Sequence, residues 1–123
     1  MLHIASPYTI EEPSDENELI RPAVEGTLSV LRACQAAGVR RVSLTSSVAS
    51  ITASDPATAP EVFNETHWSD VNFDKIGAYE KSKTLAERAA WDFVRDMPEH
   101  ERIELSVVNP AGIMGPTLVD SDF

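Results

Sequence analysis

The stretch Arg40-Arg-Val-Ser-Leu-Thr-Ser-Ser47 contains a short apolar segment, Val42–Thr45, that ends in two serines. Its length and its branched side chains predict a buried β-strand. Long segments with apolar residues at helical spacing lie on both sides of it. Leu19–Ala37 precedes the segment and Ile76–Val94 follows it. The stretch is therefore predicted to be a strand between two amphipathic helices.

Two further strand candidates lie nearer the ends of the chain. Leu2–Ala5 stops at Ser6-Pro7, and Ile103–Val108 stops at Asn109-Pro110. Strands that alternate with helices predict an α/β fold with a parallel sheet, right-handed crossovers and flanking helices. Residues 48–72 show no period and are predicted to form a long loop. We expect residues 1–123 to form one partial domain.

Local signals predict where the first helix begins and ends. Ser14 or Asp15 is expected to be its N-cap, because their side chains accept hydrogen bonds from the first free N–H groups. Pro22 either marks a later start or kinks the helix. Gly38 is expected just past its end, where a left-handed residue is needed.

Composition excludes several classes of partner. The chain has 20 Asp and Glu against 10 Lys and Arg, a formal net charge of -10. Such a surface repels phosphate backbones and anionic lipids, so neither a nucleic acid nor a membrane is expected as a partner. One cysteine and no signal-like start lead us to expect a cytoplasmic protein. The three histidines lack metal-ligand spacing, so no metal site is expected.

Tyr79 and Lys83 are four residues apart on a predicted helix and therefore share one face. A phenol is a poor proton donor and acceptor at neutral pH, because its pKa is about 10. A cation one turn away stabilises the phenolate form. A hydroxyl from a neighbouring strand end, such as that of Ser47, could hold a substrate carbonyl against the phenol. Such a set suits general acid catalysis.

These residues lie within longer stretches that resemble the extended short-chain dehydrogenase/reductase (NAD-dependent epimerase/dehydratase) family, in its dihydroflavonol 4-reductase-like branch. They follow family order along almost the whole chain. The matching stretches are His3–Pro7, Glu16–Pro22, Gly26-Thr27, Arg40–Ser47, Trp68–Asp70, Tyr79–Glu87, Ala90-Trp91 and Pro110–Pro116.

The resemblance implies an NAD(P)-binding Rossmann fold and an oxidoreductase that acts on a small-molecule ketone, aldehyde or secondary alcohol. Tyr79 would be the catalytic acid and base, Lys83 its activator and a ribose ligand, and Ser47 the positioning hydroxyl, with Ser46 as the alternative. NADP is the expected cofactor, and NAD is the alternative. Besides Tyr79 and Lys83, the residues implied in cofactor binding are Ile4, Ala5, Ser6, Pro110, Ala111, Gly112 and Ile113.

The chain departs from the family pattern, and other functions stay open. None of its 5 glycines form the Gly-x-x-Gly-x-x-Gly turn of the first family βα unit, which cradles the pyrophosphate. We therefore expect a partial Rossmann fold, the central fragment of such an enzyme. One alternative is a non-catalytic remnant or a cofactor-sensing or interaction module. Another is a sugar-nucleotide epimerase or a 3-beta-hydroxysteroid dehydrogenase.

Overall fold

The structure is a computed structural model that describes residues 1–9 and 11–116. Residues 10 and 117–123, which the expected domain includes, lie outside these ranges. Strands and helices alternate along the chain. They are β1 (Leu2–His3), α1 (Asn17–Ala36), β2 (Arg41–Thr45), α2 (Ala49–Thr52), α3 (Ala78–Asp96) and β3 (Glu104–Val108).

The three strands form one parallel sheet in the order β1-β2-β3. β2 lies in the centre, where Ser43 pairs with Leu2 on one side and with Ser106 on the other. α1 connects β1 to β2, and α3 lies in the connection from β2 to β3. The predicted α/β fold with a parallel sheet and flanking helices is confirmed.

The hydrophobic core lies between one face of the sheet and the two long helices. Val42 and Leu44 of β2 are buried, and they alternate with the more exposed Arg41, Ser43 and Thr45. This period of two places one face of the strand against the helices. The core residues are Leu31 and Cys34 of α1, Val42 and Leu44 of β2, Ala90 and Val94 of α3, and Met97 and Ile103.

Within the described residues, the opposite face of the sheet has no helix over it. A shallow groove there is lined by Met1, Leu2, Arg41, Ser43, Glu104 and Ser106, among others. Leu2 is 70% exposed and Val108 is 55% exposed. Parallel sheets in complete domains are usually covered on both faces, so this bare face is a distinctive feature of the chain.

Several predicted boundaries need correction. β1 ends at His3 rather than at Ala5, because Ile4 and Ala5 have no strand partner in the described part. The predicted loop 48–72 contains the single-turn helix α2. Its one turn is too short to show a helical period in the sequence. α3 is displaced by two residues towards the C-terminus relative to its predicted range.

The ends of α1 are partly as predicted. The boundary residue is Glu16 and makes no capping hydrogen bond, whereas the Asp15 carboxylate accepts one from the Asn17 N–H (2.9 Å). The helix starts before Pro22 and continues through it, so a later start is wrong. Gly38 has a φ of 67°, which confirms the predicted left-handed residue after the helix.

Candidate functional site

The carboxyl ends of β2 and β3 and the N-terminal end of α3 meet at one edge of the sheet. There they form an open groove of about 530 Å³, which we call the strand-end groove. It contains the catalytic candidates Tyr79 and Ser47 on opposite elements. Its lining consists of Tyr8, Ser47, Val48, Ala49, Thr52, Ala53, Tyr79, Glu80, Ala111 and Gly112.

Tyr79 occupies the first turn of α3 and is half-buried. Lys83 lies one turn further along the same helix face, and its Nζ is 5.7 Å from the centroid of the Tyr79 ring. This is within the range in which an ammonium group is attracted by an aromatic ring. The helical spacing thus brings the ammonium over the face of the Tyr79 ring.

Lys83 extends into a small cavity beneath the ends of β1 and β2, which we call the lysine cavity. The cavity is lined by His3, Ala5, Ser6, Thr27, Leu44, Thr45, Ser46, Lys83, Ala86 and Glu87. Lys83 is 8% exposed, and burial lowers the pKa of its ammonium group. Among the described residues, its Nζ has no hydrogen-bond or ion-pair partner. The side chain is buried as a whole, but Nζ is not among the fully enclosed polar atoms, so the ammonium is still accessible from the cavity.

His3 faces the same cavity from β1. Burial lowers the pKa of its imidazole, and the positive charge of Lys83 lowers it further. The charged lysine therefore disfavours protonation of His3 across the cavity.

The two serines after β2 point into different spaces. Ser47 lines the strand-end groove with Tyr79, whereas Ser46 lines the lysine cavity. Ser47 Oγ accepts a hydrogen bond from the Ala49 N–H (3.2 Å), so its hydroxyl proton remains available for an acceptor in the groove. Ser46 Oγ lies 3.4 Å from Ser50 Oγ. Of the two serines, Ser47 is thus the one that shares a space with the phenol.

The candidate cofactor residues divide among several positions. Ala5 and Ser6 line the lysine cavity, and Ala111 and Gly112 line the strand-end groove. Pro110 holds the loop after β3 against α2, because its carbonyl accepts a hydrogen bond from the Val48 N–H (3.0 Å). Ile4 and Ile113 line neither space and are 67% and 86% exposed.

Two residues at the site were not predicted from the sequence. Tyr8 packs edge-on against Tyr79, with ring centroids 5.2 Å apart. Glu12 Oε1 accepts a hydrogen bond from the Ala78 N–H (2.6 Å) at the start of α3. No short-range pattern relates these residues to α3, because about 70 residues separate them in the chain. In the sequence, the only sign of this cap at the start of α3 is the acidic composition of residues 11–18.

The described residues contain no group of three or more His, Cys, Asp or Glu side chains that could hold a metal ion. Nor does any helix in these ranges have the length and hydropathy needed to cross a membrane.

The chain is similar in sequence to known oxidoreductases. The sequence profile of the 3-beta hydroxysteroid dehydrogenase/isomerase family matches residues 1–118. The chain is 35% identical over 127 residues to a dihydroflavonol 4-reductase of Gerbera hybrida. It is also 35% identical over 133 residues to the NADPH-dependent methylglyoxal reductase of Saccharomyces cerevisiae. These alignments cover 98% and 99% of the chain but 33% and 38% of the two relatives.

A solved structure gives a similar result. Gre2 of Candida albicans, in complex with NADPH, superposes with a TM-score of 0.81 at 30% sequence identity. The match covers 99% of this chain and 38% of that one. The chain therefore spans about a third of the length of the relatives that it resembles.

Proposed function

The chain belongs to the 3-beta hydroxysteroid dehydrogenase/isomerase family, within the extended short-chain dehydrogenase/reductase group, and we propose that its protein is an NADPH-dependent carbonyl reductase. The substrate is a small ketone or aldehyde, or the corresponding secondary alcohol in the reverse direction. Tyr79, Lys83 and Ser47 are the proposed catalytic residues.

One observation carries this proposal. Tyr79 and Ser47 line the same open groove, while the buried ammonium of Lys83 lies behind the Tyr79 ring. A carbonyl oxygen in this groove can therefore meet a proton donor from α3 and a second hydroxyl from the loop after β2. The named relatives, a dihydroflavonol reductase and a methylglyoxal reductase, support the same class of chemistry.

The roles of the three side chains follow from their donors and acceptors. Ser47 donates a hydrogen bond to the carbonyl oxygen and orients the substrate. Tyr79 transfers its phenolic proton to that oxygen as the carbon is reduced, which leaves a phenolate. The ammonium of Lys83 stabilises this anion through its charge. NADPH supplies the hydride to the carbonyl carbon when it is bound.

The residues at the strand ends fit the nicotinamide-ribose half of NADPH. Lys83 lines the lysine cavity, and its ammonium could donate a hydrogen bond to a ribose hydroxyl placed there. Ala5 and Ser6 line the same cavity, and Gly112 lines the groove beside Tyr79 with no side chain of its own. The five glycines of this chain supply no turn for the pyrophosphate half.

The proposal is tested by the substitution Tyr79→Phe in the full-length protein. The ring stays in place while the proton donor is lost, so turnover of methylglyoxal or a dihydroflavonol should fall by roughly 10³-fold or more. The dissociation constant for NADPH, followed by energy transfer from tryptophan, should change by less than about threefold. Turnover that survives this change excludes Tyr79 as the acid.

The same titration examines the other interpretation, a non-catalytic module. It is considered because no glycine-rich turn lies within residues 1–123. It predicts that the protein turns over neither substrate and binds NADPH weakly, with no difference between the natural protein and the Tyr79→Phe variant.

A further inference from the structure

Glu87 is a buried carboxylate on α3 that the proposed chemistry does not use. It is 7% exposed. Its Oε2 accepts hydrogen bonds from Ser50 Oγ (2.7 Å) and Asn109 Nδ2 (2.8 Å), and its Oε1 accepts one from Trp91 Nε1 (3.3 Å). The carboxylate oxygens are thus surrounded by three side-chain donors, although the hydroxyl of Ser50 has a single proton that can reach one acceptor at a time.

Two of these neighbours also contact the main chain of Ser47. The Ser47 carbonyl lies 2.8 Å from Ser50 Oγ and 3.1 Å from Asn109 Nδ2. The Asn109 amide carries two protons and the Ser50 hydroxyl carries one. These three protons are shared among the Ser47 carbonyl, Glu87 and Ser50 Oγ, which lies 3.0 Å from Asn109 Nδ2. The carboxylate is thus part of one buried network with the backbone of the proposed positioning serine.

The network joins the loop after β2 to the loop after β3. Ser50 belongs to α2, directly after Ser47, and Asn109 directly follows β3. Backbone hydrogen bonds from Ser46 N to Val108 O (2.8 Å) and from Val48 N to Pro110 O (3.0 Å) run beside it. Glu87 therefore ties both loops to α3.

Glu87 lies on the same helix as the proposed acid, Tyr79. Tyr79, Lys83 and Glu87 are spaced by four residues, so they lie along one face of the helix. The face that presents the phenol also holds the loop that presents the hydroxyl. The separation between Tyr79 and Ser47 across the groove is consequently set through a rigid helix and a buried network.

We infer that Glu87 is a positioning residue, whose carboxylate sets the placement of Ser47 opposite Tyr79 through Ser50 and Asn109. The inference rests on the proposed function of Ser47. In Glu87→Gln the side chain keeps its shape, but one of the two acceptor oxygens becomes an NH₂ donor. If the NH₂ faces Ser50 and Asn109, the loop after β2 loses its acceptor, and if it faces Trp91, it meets the indole N–H, so either orientation disrupts the network.

The experiment is a double-mutant cycle in the full-length protein with Glu87→Gln, Ser47→Ala and the combined variant. Glu87→Gln should lower kcat for methylglyoxal or a dihydroflavonol by roughly 10- to 100-fold, since small misplacements are costly in catalysis. KM for NADPH should stay within about twofold. In the Ser47→Ala background, Glu87→Gln should change kcat by less than about twofold, because both act through the same hydroxyl.

Controls separate this inference from the proposed function. Glu99→Gln makes the same chemical change on an exposed turn and should leave kcat unaltered. If Ser47→Ala impairs turnover but Glu87→Gln does not, or if their effects add, the positioning role is wrong and the proposed function stands. If Ser47→Ala has no effect, the inference and the proposed role of Ser47 are both wrong, while the reductase function is still decided by Tyr79→Phe. Should Glu87→Gln fail to fold, Ser50→Ala removes one of the two connections and leaves the one through Asn109, so it should lower kcat in the same direction but less, and again not in the Ser47→Ala background.

A second readout needs no turnover. Hydrogen exchange at the Val48 and Ala49 amides should accelerate about tenfold in Glu87→Gln, while the Leu44 amide in the core of β2 keeps its protection. Uniform acceleration at all three amides would indicate general loss of stability and would overturn the inference. Unchanged exchange at Val48 and Ala49 would overturn it as well.

Discussion

Lys83 carries a cost in stability that its proposed role explains. Burial lowers the pKa of its ammonium group from the ordinary value of 10.5, and no described residue pairs with it. Groups at functional sites are often held in such unfavourable surroundings. The spacing from Tyr79 identified this lysine in the sequence, but its burial could not be predicted, since that depends on β1 and α1 closing over it.

Replacing Lys83 with methionine should therefore raise the free energy of unfolding at pH 7. A lysine with a lowered folded-state pKa binds fewer protons when folded than when unfolded, so the natural protein gains stability as pH rises through that pKa towards 10.5. The advantage of the variant should shrink over the same range. Urea unfolding of both proteins at neutral and alkaline pH measures this difference. An advantage that grows with pH would contradict the expectation.

The same substitution should raise the pKa of His3, because the positive charge of Lys83 contributes to lowering it. A pH titration of the His3 ring signals by NMR measures the change. The lowering caused by burial should remain, so the pKa stays below 6.5 in the variant. An unchanged pKa would mean that Lys83 is not directed into the cavity that it shares with His3.

At the scale of elements, the start of α3 depends on a distant loop. Glu12 accepts the Ala78 N–H, and Glu16 forms an ion pair with Lys81 (2.6 Å). A carboxylate at a helix N-terminus satisfies a free N–H and interacts favourably with the helix dipole. The same loop also brings Tyr8 against Tyr79. The placement of the proposed acid is thus supported from outside its own helix.

Glu12→Ala should destabilise the protein by about 1 kcal/mol, because the Ala78 N–H loses its acceptor. Glu12→Gln keeps an oxygen acceptor and should cost less than half as much. Thermal unfolding of both variants provides the measurement, and Glu11→Ala, on the neighbouring exposed residue, is the matched control. Equal losses in all three variants would exclude a specific cap.

The two long helices and the three strands were predictable because each has a local signal, either apolar periodicity or a Gly or Pro boundary, whereas the single-turn α2 has none. The contacts that connect them were not. Glu87 was visible in the sequence only as one polar residue within an amphipathic helix, and its partners Ser50 and Asn109 lie 37 and 22 residues away. Such networks become recognisable when the fold brings the loops together, so spacing within one helix could not reveal this one.

At the scale of the whole molecule, the bare face and the edge of β3 should make the 123-residue chain self-associate when it is produced alone. Among the described strands, β3 pairs on one side only, and an unpaired strand edge is a template for association. Sedimentation velocity over a range of concentrations tests this expectation. Val108→Lys places a charge on the edge strand and should reduce association, whereas Val62→Lys, in an exposed loop, should not. A chain that remains monomeric would contradict it.

The bare face also determines the size of the side chains that a segment packed against it must have. On this face, Ser43 of β2 is paired with Ser106 of β3. Two small side chains therefore lie side by side, whereas a row that faces the core would contain large apolar side chains. At the next row, Arg41 and Glu104 form an ion pair (2.7 Å) that marks the polar border of this shallow floor. Any segment that seats there can approach the backbone closely, but it must bring its own large apolar side chains to fill the space above the serines.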